Sequence, residues 1–127
     1  DGNYGRLQAI DMNTMKLSWT HREVTPPATP VLSTDGGVVF AGFLDQTFKA
    51  VDTSNGNVLW QDSLEHIPSS FPITYSVNGK QYVAIIRGQP SRFTGSLYAI
   101  ISGFLGDNQE AIGVPSAEPA ILVYALP

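Results

Sequence analysis

The chain has 127 residues, 43% of them apolar and 14% charged, which is the composition of an ordinary globular protein and not of a disordered one. A net charge of −4 and a pI near 4.9 argue against nucleic acid or an anionic membrane surface as the main partner. There is no cysteine, hence no disulfide frame and no thiolate metal site, and no apolar run approaches the ~20 residues that span a bilayer.

The chain opens on "DGNYGRLQAID", with neither an initiator Met nor a signal-peptide pattern, and stops on strand-like "ILVYALP". Both ends read as a piece of a longer protein, so localisation stays open. Residues 5–24 predict two strands across the turn "DMNTMK". Residues 29–64 predict four strands: "TPVLST", "GVVFAG", "QTFKAVD" and "NVLWQDSL". Asp-Gly in "TDGG" and Asn-Gly in the later "VNGK" are hairpin signals, because Gly and Asn accept the positive φ of the favoured turns. Residues 71–87 predict two more strands, and Ile121–Leu126 a further one. Between them lies a long connection, about 88–119. Connections of that length are usually functional or disordered. Within it "SLYAIISGFLGDNQEAIG" predicts a short helix with Gly103 and Gly106 as weak points. A strand hairpin over 96–105 is the other possibility, since "GSLYAI" echoes "GRLQAI".

These elements repeat. "AIDMNTMKLSW" (Ala9–Trp19) and "AVDTSNGNVLW" (Ala50–Trp60) are the same phrase 41 residues apart, and "TPVLSTDGGVVFAG" returns as "FPITYSVNGKQYVAI". A period of roughly 40–45 residues built from antiparallel strands indicates four-stranded propeller blades. The predicted fold is therefore all-β, a partial β-propeller of about two to two and a half blades. Strands C and D of one blade fall at 5–24, a complete blade at 29–64, and a last blade with its B–C insert at 71–127. Closed propellers need ~4–8 blades. Open blade faces predict that the chain alone self-associates or is insoluble.

Inside the repeated phrase the chemistry is structural. Asp11 and Asp52 end a C strand, where a carboxylate accepts N–H groups of the following turn. Gly56 suits a turn position that a Cβ strains; Met15 stands in its place upstream and predicts a distorted or differently typed first turn. Trp19 and Trp60 fall on outer strands, where the ring can pack against the next blade. "DTSNGN" departs from a calcium loop, with Gly at the fifth position instead of the sixth and no distal Glu, so no metal ligand is assigned.

The pattern Ala-x-Asp-x3-Gly-x3-Trp resembles the tryptophan-docking motif of pyrroloquinoline quinone (PQQ) dehydrogenase propellers, and similar phrases occur in outer-membrane assembly scaffolds. "VLSTDGGVVFAGFLDQTFKAVDTSNGNVLW" followed by "FPITYSVNGKQYVAI" resembles the C-terminal part of PQQ-dependent alcohol dehydrogenases, related to the quinoprotein glucose dehydrogenases. The resemblance implies a larger, eight-bladed propeller in the periplasm. It also implies PQQ and Ca²⁺ bound mainly by upstream parts, an alcohol or sugar substrate, and a cytochrome or quinone electron acceptor. The family's catalytic aspartate and calcium ligands lie upstream of the matching region, so no catalytic residue is assigned and the fragment alone is expected to be inactive. The alternative is a non-catalytic propeller that scaffolds protein assembly.

Alternating strand direction puts the A–B and C–D turns on one face. The longer D–A and B–C connections share the other, which is the expected functional face. There "IIRGQPSRF" (Ile85–Phe93) stands where the family carries a Gly- and Trp-rich loop near the quinone. Gly88 is kept, while Gln89, Pro90 and Ser91 replace the second Gly and its neighbours. Gly88, Gln89 and Arg92 are the candidate cofactor-binding residues. Arg87 and Arg92 are either partners of a quinone carboxylate or solvated loop charges. His21, Glu65 and His66 read as exposed loop residues without ligand spacing.

Overall fold

A computed structural model describes residues 2–89, 91–112 and 118–127. Strands β1 (Gly5–Asp11) and β2 (Lys16–Glu23) form a two-stranded antiparallel sheet. A four-stranded sheet follows, in the order β3 (Leu32–Thr34), β4 (Val38–Gly42), β5 (Thr47–Asp52) and β6 (Val58–Ser63). The third sheet pairs β7 (Ile73–Val77), β8 (Lys80–Arg87) and β9 (Ala120–Ala125). All strand pairs are antiparallel. This is a partial β-propeller, each sheet a blade or part of one.

Turn chemistry sets the registers. Val77 pairs with Lys80 across Asn78 and Gly79, whose φ values of 50° and 77° are those of a two-residue primed turn. The first two sheets also share a defect: register slips between Ala9 and Ile10, and again between Ala50 and Val51, each just beyond an Ala–Trp pair (Ala9 with Trp19, Ala50 with Trp60). A bulge adds local twist to the outer strand pair.

The expected distortion of the first C–D turn does not occur. Met15 N–H donates to Asp11 O (2.7 Å) just as Gly56 N–H donates to Asp52 O (2.9 Å), and Met15 takes a φ of 55°. Asp11 explains it: one carboxylate oxygen accepts from Asn13 N–H (2.7 Å) and Thr14 N–H (3.0 Å). Those bonds hold a left-handed conformation that costs a non-glycine residue ~1–2 kcal/mol.

One core lies between the second and third sheets, where Phe40, Phe48, Ala50 and Leu64 meet Val83 and Ile85. The second core lies under the long connection. Residues 96–105, open between helix and strand on sequence grounds, belong to helix α1 (Arg92–Leu105). Ser91 caps it, its hydroxyl accepting from Thr94 N–H (3.2 Å), and Gly106 ends it at φ 53°. Ile101 and Leu105 of α1 pack with Ala28, Leu44 and Ile67 from the blade connections below, and a 3-10 turn (Gly106–Ala111) leads on to buried Ile112. Part of the chain beyond, residues 113–117, lies outside the described residues, as does Pro90 of the candidate loop.

Candidate functional site

The contacts between sheets explain the repeated phrase. The Trp19 indole N–H donates to Thr53 O (2.8 Å) in the turn of the following sheet. A Cβ built on Gly56 stands 2.6 Å from Trp19 Cε3, so the ring lies where any side chain at 56 would be. Asp52 shapes that turn by accepting from Ser54 N–H (2.7 Å), Ser54 Oγ (2.6 Å) and Asn55 Nδ2 (3.2 Å). Hydrogen bonds from the Ser54 hydroxyl and amide hold the Asp52 carboxyl below its ordinary pKa, and the Thr14 and Asn13 amides do the same for Asp11. Trp60 meets Tyr124 of β9 edge-on, with centroids 4.9 Å apart, and the Tyr124 hydroxyl donates to Asp62 (3.0 Å). Burial, with the Asp62 carboxylate beside it, pushes the Tyr124 phenol up to about 12.

A second contact between sheets was hidden in sequence. His21 is not a loop residue: it lies on β2, partly buried, with Nε2 2.7 Å from Glu23 Oε1. The same oxygen accepts from the ammonium of Lys49 on β5, which is buried and lies 4.8 Å from the Phe43 ring centroid. Burial pushes the Glu23 carboxyl up, but hydrogen bonds from Lys49 and His21 outweigh it and leave the pKa lowered. The alternation of β2 puts 21 and 23 on one face, a signal the sequence did carry.

At the opposite end, the entries to β3 and β7 converge beneath the start of α1. Ala28, Thr29 and Pro30, then Ser69, Ser70 and Phe71, then Ser91 to Thr94 line an open groove of about 830 Å³. The three segments are the two D–A connections and the B–C insert, so the groove lies on the face of the irregular loops. Arg92 lines it as an exposed first residue of the helix, with no hydrogen-bond or ion-pair partner among the described residues.

The other loop candidates lie elsewhere. Gly88 is buried with φ 111°, donates to Ile67 O (3.0 Å), and leaves room for Glu118 O, which a Cβ would meet at 2.3 Å. Gln89 is exposed and is not among the groove-lining residues. Arg87 is neither a solvated charge nor turned to the groove: its Nη1 donates to Leu64 O (2.5 Å) and Glu65 Oε2 (2.6 Å). Glu65 is exposed, as expected, though held by that pair, whereas His66 is half-buried. No cluster of three or more His, Cys, Asp or Glu residues suited to a metal occurs among the described residues.

Residues 1–83 match the PQQ family described as glucose/ethanol/alcohol dehydrogenase, beta-propeller domain. The chain is 40% identical over 88 residues to quinoprotein alcohol dehydrogenase PedE of Pseudomonas putida, covering 69% of this chain and 14% of that protein. It is 35% identical over 103 residues to the dehydrogenase subunit of the quinone-linked alcohol dehydrogenase of Acetobacter aceti, covering 81% of this chain and 13% of that one. A europium-containing methanol dehydrogenase superposes with a TM-score of 0.75 at 30% identity, over 99% of this chain and 24% of that one. BamB of Moraxella catarrhalis, at 20% identity and a TM-score of 0.56 over 67% of this chain and 26% of that one, shares the fold. The chain thus spans about a seventh of the length of its curated relatives. It belongs to the PQQ-dependent dehydrogenase family, as a stretch of that family's β-propeller domain.

Proposed function

We propose that this chain supplies blades, and part of the active-site wall, to a periplasmic PQQ- and calcium-dependent dehydrogenase. That enzyme oxidises an alcohol or sugar and passes electrons to a cytochrome or quinone acceptor. The observation that carries the assignment to the wall is the groove itself: aromatic rings and a guanidinium without a partner among the described residues, gathered from three loops on one propeller face. Such a donor set fits a flat aromatic polycarboxylate. Arg92 pairs with a cofactor carboxylate, in the geometry that makes guanidinium the preferred partner. Gly88 lets the loop pass under Glu118, and Gln89 borders the same connection. Phe71 and Phe93 exclude water. When bound, PQQ supplies the redox chemistry, taking the electrons that leave the carbinol carbon. The catalytic base and the calcium ligands belong to other parts of the enzyme. Asp11, Trp19, Asp52, Gly56 and Trp60 serve as clasps between blades, on the face away from the chemistry.

The test is expression of the full-length protein and addition of PQQ, Ca²⁺ and an artificial electron acceptor. Dye reduction with an alcohol or sugar is expected. Arg92→Ala is expected to weaken PQQ binding, read by fluorescence quenching, by about tenfold, with Arg92→Lys intermediate. Absence of both cofactor binding and dye reduction rejects the enzyme and leaves a scaffolding propeller.

A further inference from the structure

The groove has an unusual polar economy. Among the described residues five with hydroxyl groups line it, and each hydroxyl already has a partner inside the protein. Thr29 Oγ1 accepts from Gly42 N–H (3.0 Å), and Ser69 Oγ donates to Ile86 O (3.4 Å). Ser70 Oγ accepts from Ile86 N–H (2.9 Å) and donates to Phe71 O (3.1 Å). Ser91 Oγ accepts from Thr94 N–H (3.2 Å), while Thr94 Oγ1 donates to Ser91 O (3.1 Å). These hydroxyls tie the first two loops to β4 and β8 and cap the start of α1. What they leave facing the space is carbon: Ala28, Pro30 and the rings of Phe71 and Phe93, which are 69% and 63% exposed. Among the described residues no carboxylate lines it, and Arg92 is the one charged group.

We propose that Phe71 and Phe93 determine substrate choice in this enzyme, selecting alcohols with an extended apolar chain and rejecting polyhydroxylated substrates such as aldoses. The inference rests on the dehydrogenase reading above. A sugar entering the groove gives up water at several hydroxyls and finds the lining hydroxyls already bonded to the protein's backbone, so it recovers fewer hydrogen bonds than it loses. An alkyl chain gives up nothing and buries carbon against two rings. Discrimination by unpaired polar groups is far steeper than discrimination by one methylene, which is worth roughly 10–200-fold.

The experiment uses the full-length enzyme loaded with PQQ and Ca²⁺, with dye-linked kinetics on ethanol, 1-hexanol and glucose. kcat/KM is expected to rise from ethanol to 1-hexanol and to exceed that for glucose by more than ~100-fold. Phe71→Ser and Phe93→Ser are each expected to cut the hexanol-to-ethanol ratio by about tenfold, chiefly through KM. Calorimetric titration with hexanamide, an unreactive apolar probe, gives a second readout that the same substitutions weaken. Glucose turned over as efficiently as 1-hexanol overturns the proposal, and the unmodified enzyme alone decides that. Retention of the hexanol preference in both variants overturns the assignment to these rings. A protein that binds no PQQ and reduces no dye with any substrate fails at the dehydrogenase reading instead and takes the proposal with it.

Discussion

Gly56 is the residue on which the joint between the first two sheets turns. It combines φ 80° with a ring at the position of any Cβ, so substitution meets two penalties at once. Gly56→Ala in the full-length protein is expected to destabilise by about 2–4 kcal/mol, from overpacking and the left-handed backbone together. Urea unfolding measures it, and a change below half a kcal/mol refutes the contact. Met15 predicts the opposite sign. At φ 55°, Met15→Gly is expected to stabilise by up to about 1 kcal/mol, since relief of the conformational penalty exceeds the entropy cost of glycine. The aspartates give these turns a pH dependence. Their folded pKa values are lowered, so their contribution is fully present above the ordinary carboxylate value near 4 and is lost as pH falls through the folded values. The melting temperature is expected to drop below about pH 4, and less so in Asp11→Asn with Asp52→Asn. Equal acid sensitivity of that double variant would count against the turns as its source. Tyr124 acts at the other end of the scale: its phenol is raised, so its contribution holds below about 10 and is lost as pH rises through about 12.

Among the elements, the blades were legible and the insert only partly. Strand identity and order followed from period-2 runs punctuated by Asp-Gly and Asn-Gly, because turn chemistry and β-branching act locally. Residues 96–105 were ambiguous for a physical reason. "SLYAIIS" is apolar on more than one side, and α1 both buries Ile101 and Leu105 and exposes Ile100 and Phe104. Helix won because the Ser91 cap starts it and three blade connections, carrying Ala28, Leu44 and Ile67, supply an apolar seat. Ser91→Ala is therefore expected to cost about 1 kcal/mol and to speed hydrogen exchange across the first turn of α1, with Ser91→Gly costing only a few tenths. Unchanged exchange in Ser91→Ala would remove the cap from the account. His21 shows the reverse lesson: alternation along β2 did place it beside Glu23, but the buried partner Lys49 comes from another sheet, which no local pattern announces.

At the scale of the whole molecule, the open faces dominate. β6 and β7 are exposed along their whole length, and Leu59, Ile73, Ile121 and Phe104 all face solvent. Unpaired strand edges beside apolar surface associate. The chain alone is expected to elute from size exclusion as oligomers or to precipitate; a monodisperse monomer with a cooperative melt would contradict this. The amino-acid sequence by itself determined the blade repeat, the family and the two Asp–Trp phrases, since each rests on motifs written in order along the chain. Only the tertiary structure decided which ring meets which turn, that Met15 keeps the glycine-type turn, and that three loops separated by about 40 and then 20 residues converge with their hydroxyls bonded to backbone groups. The reason is that a repeat sets the period of the blades, whereas the groove's chemistry depends on which polar groups the backbone claims once the blades are packed.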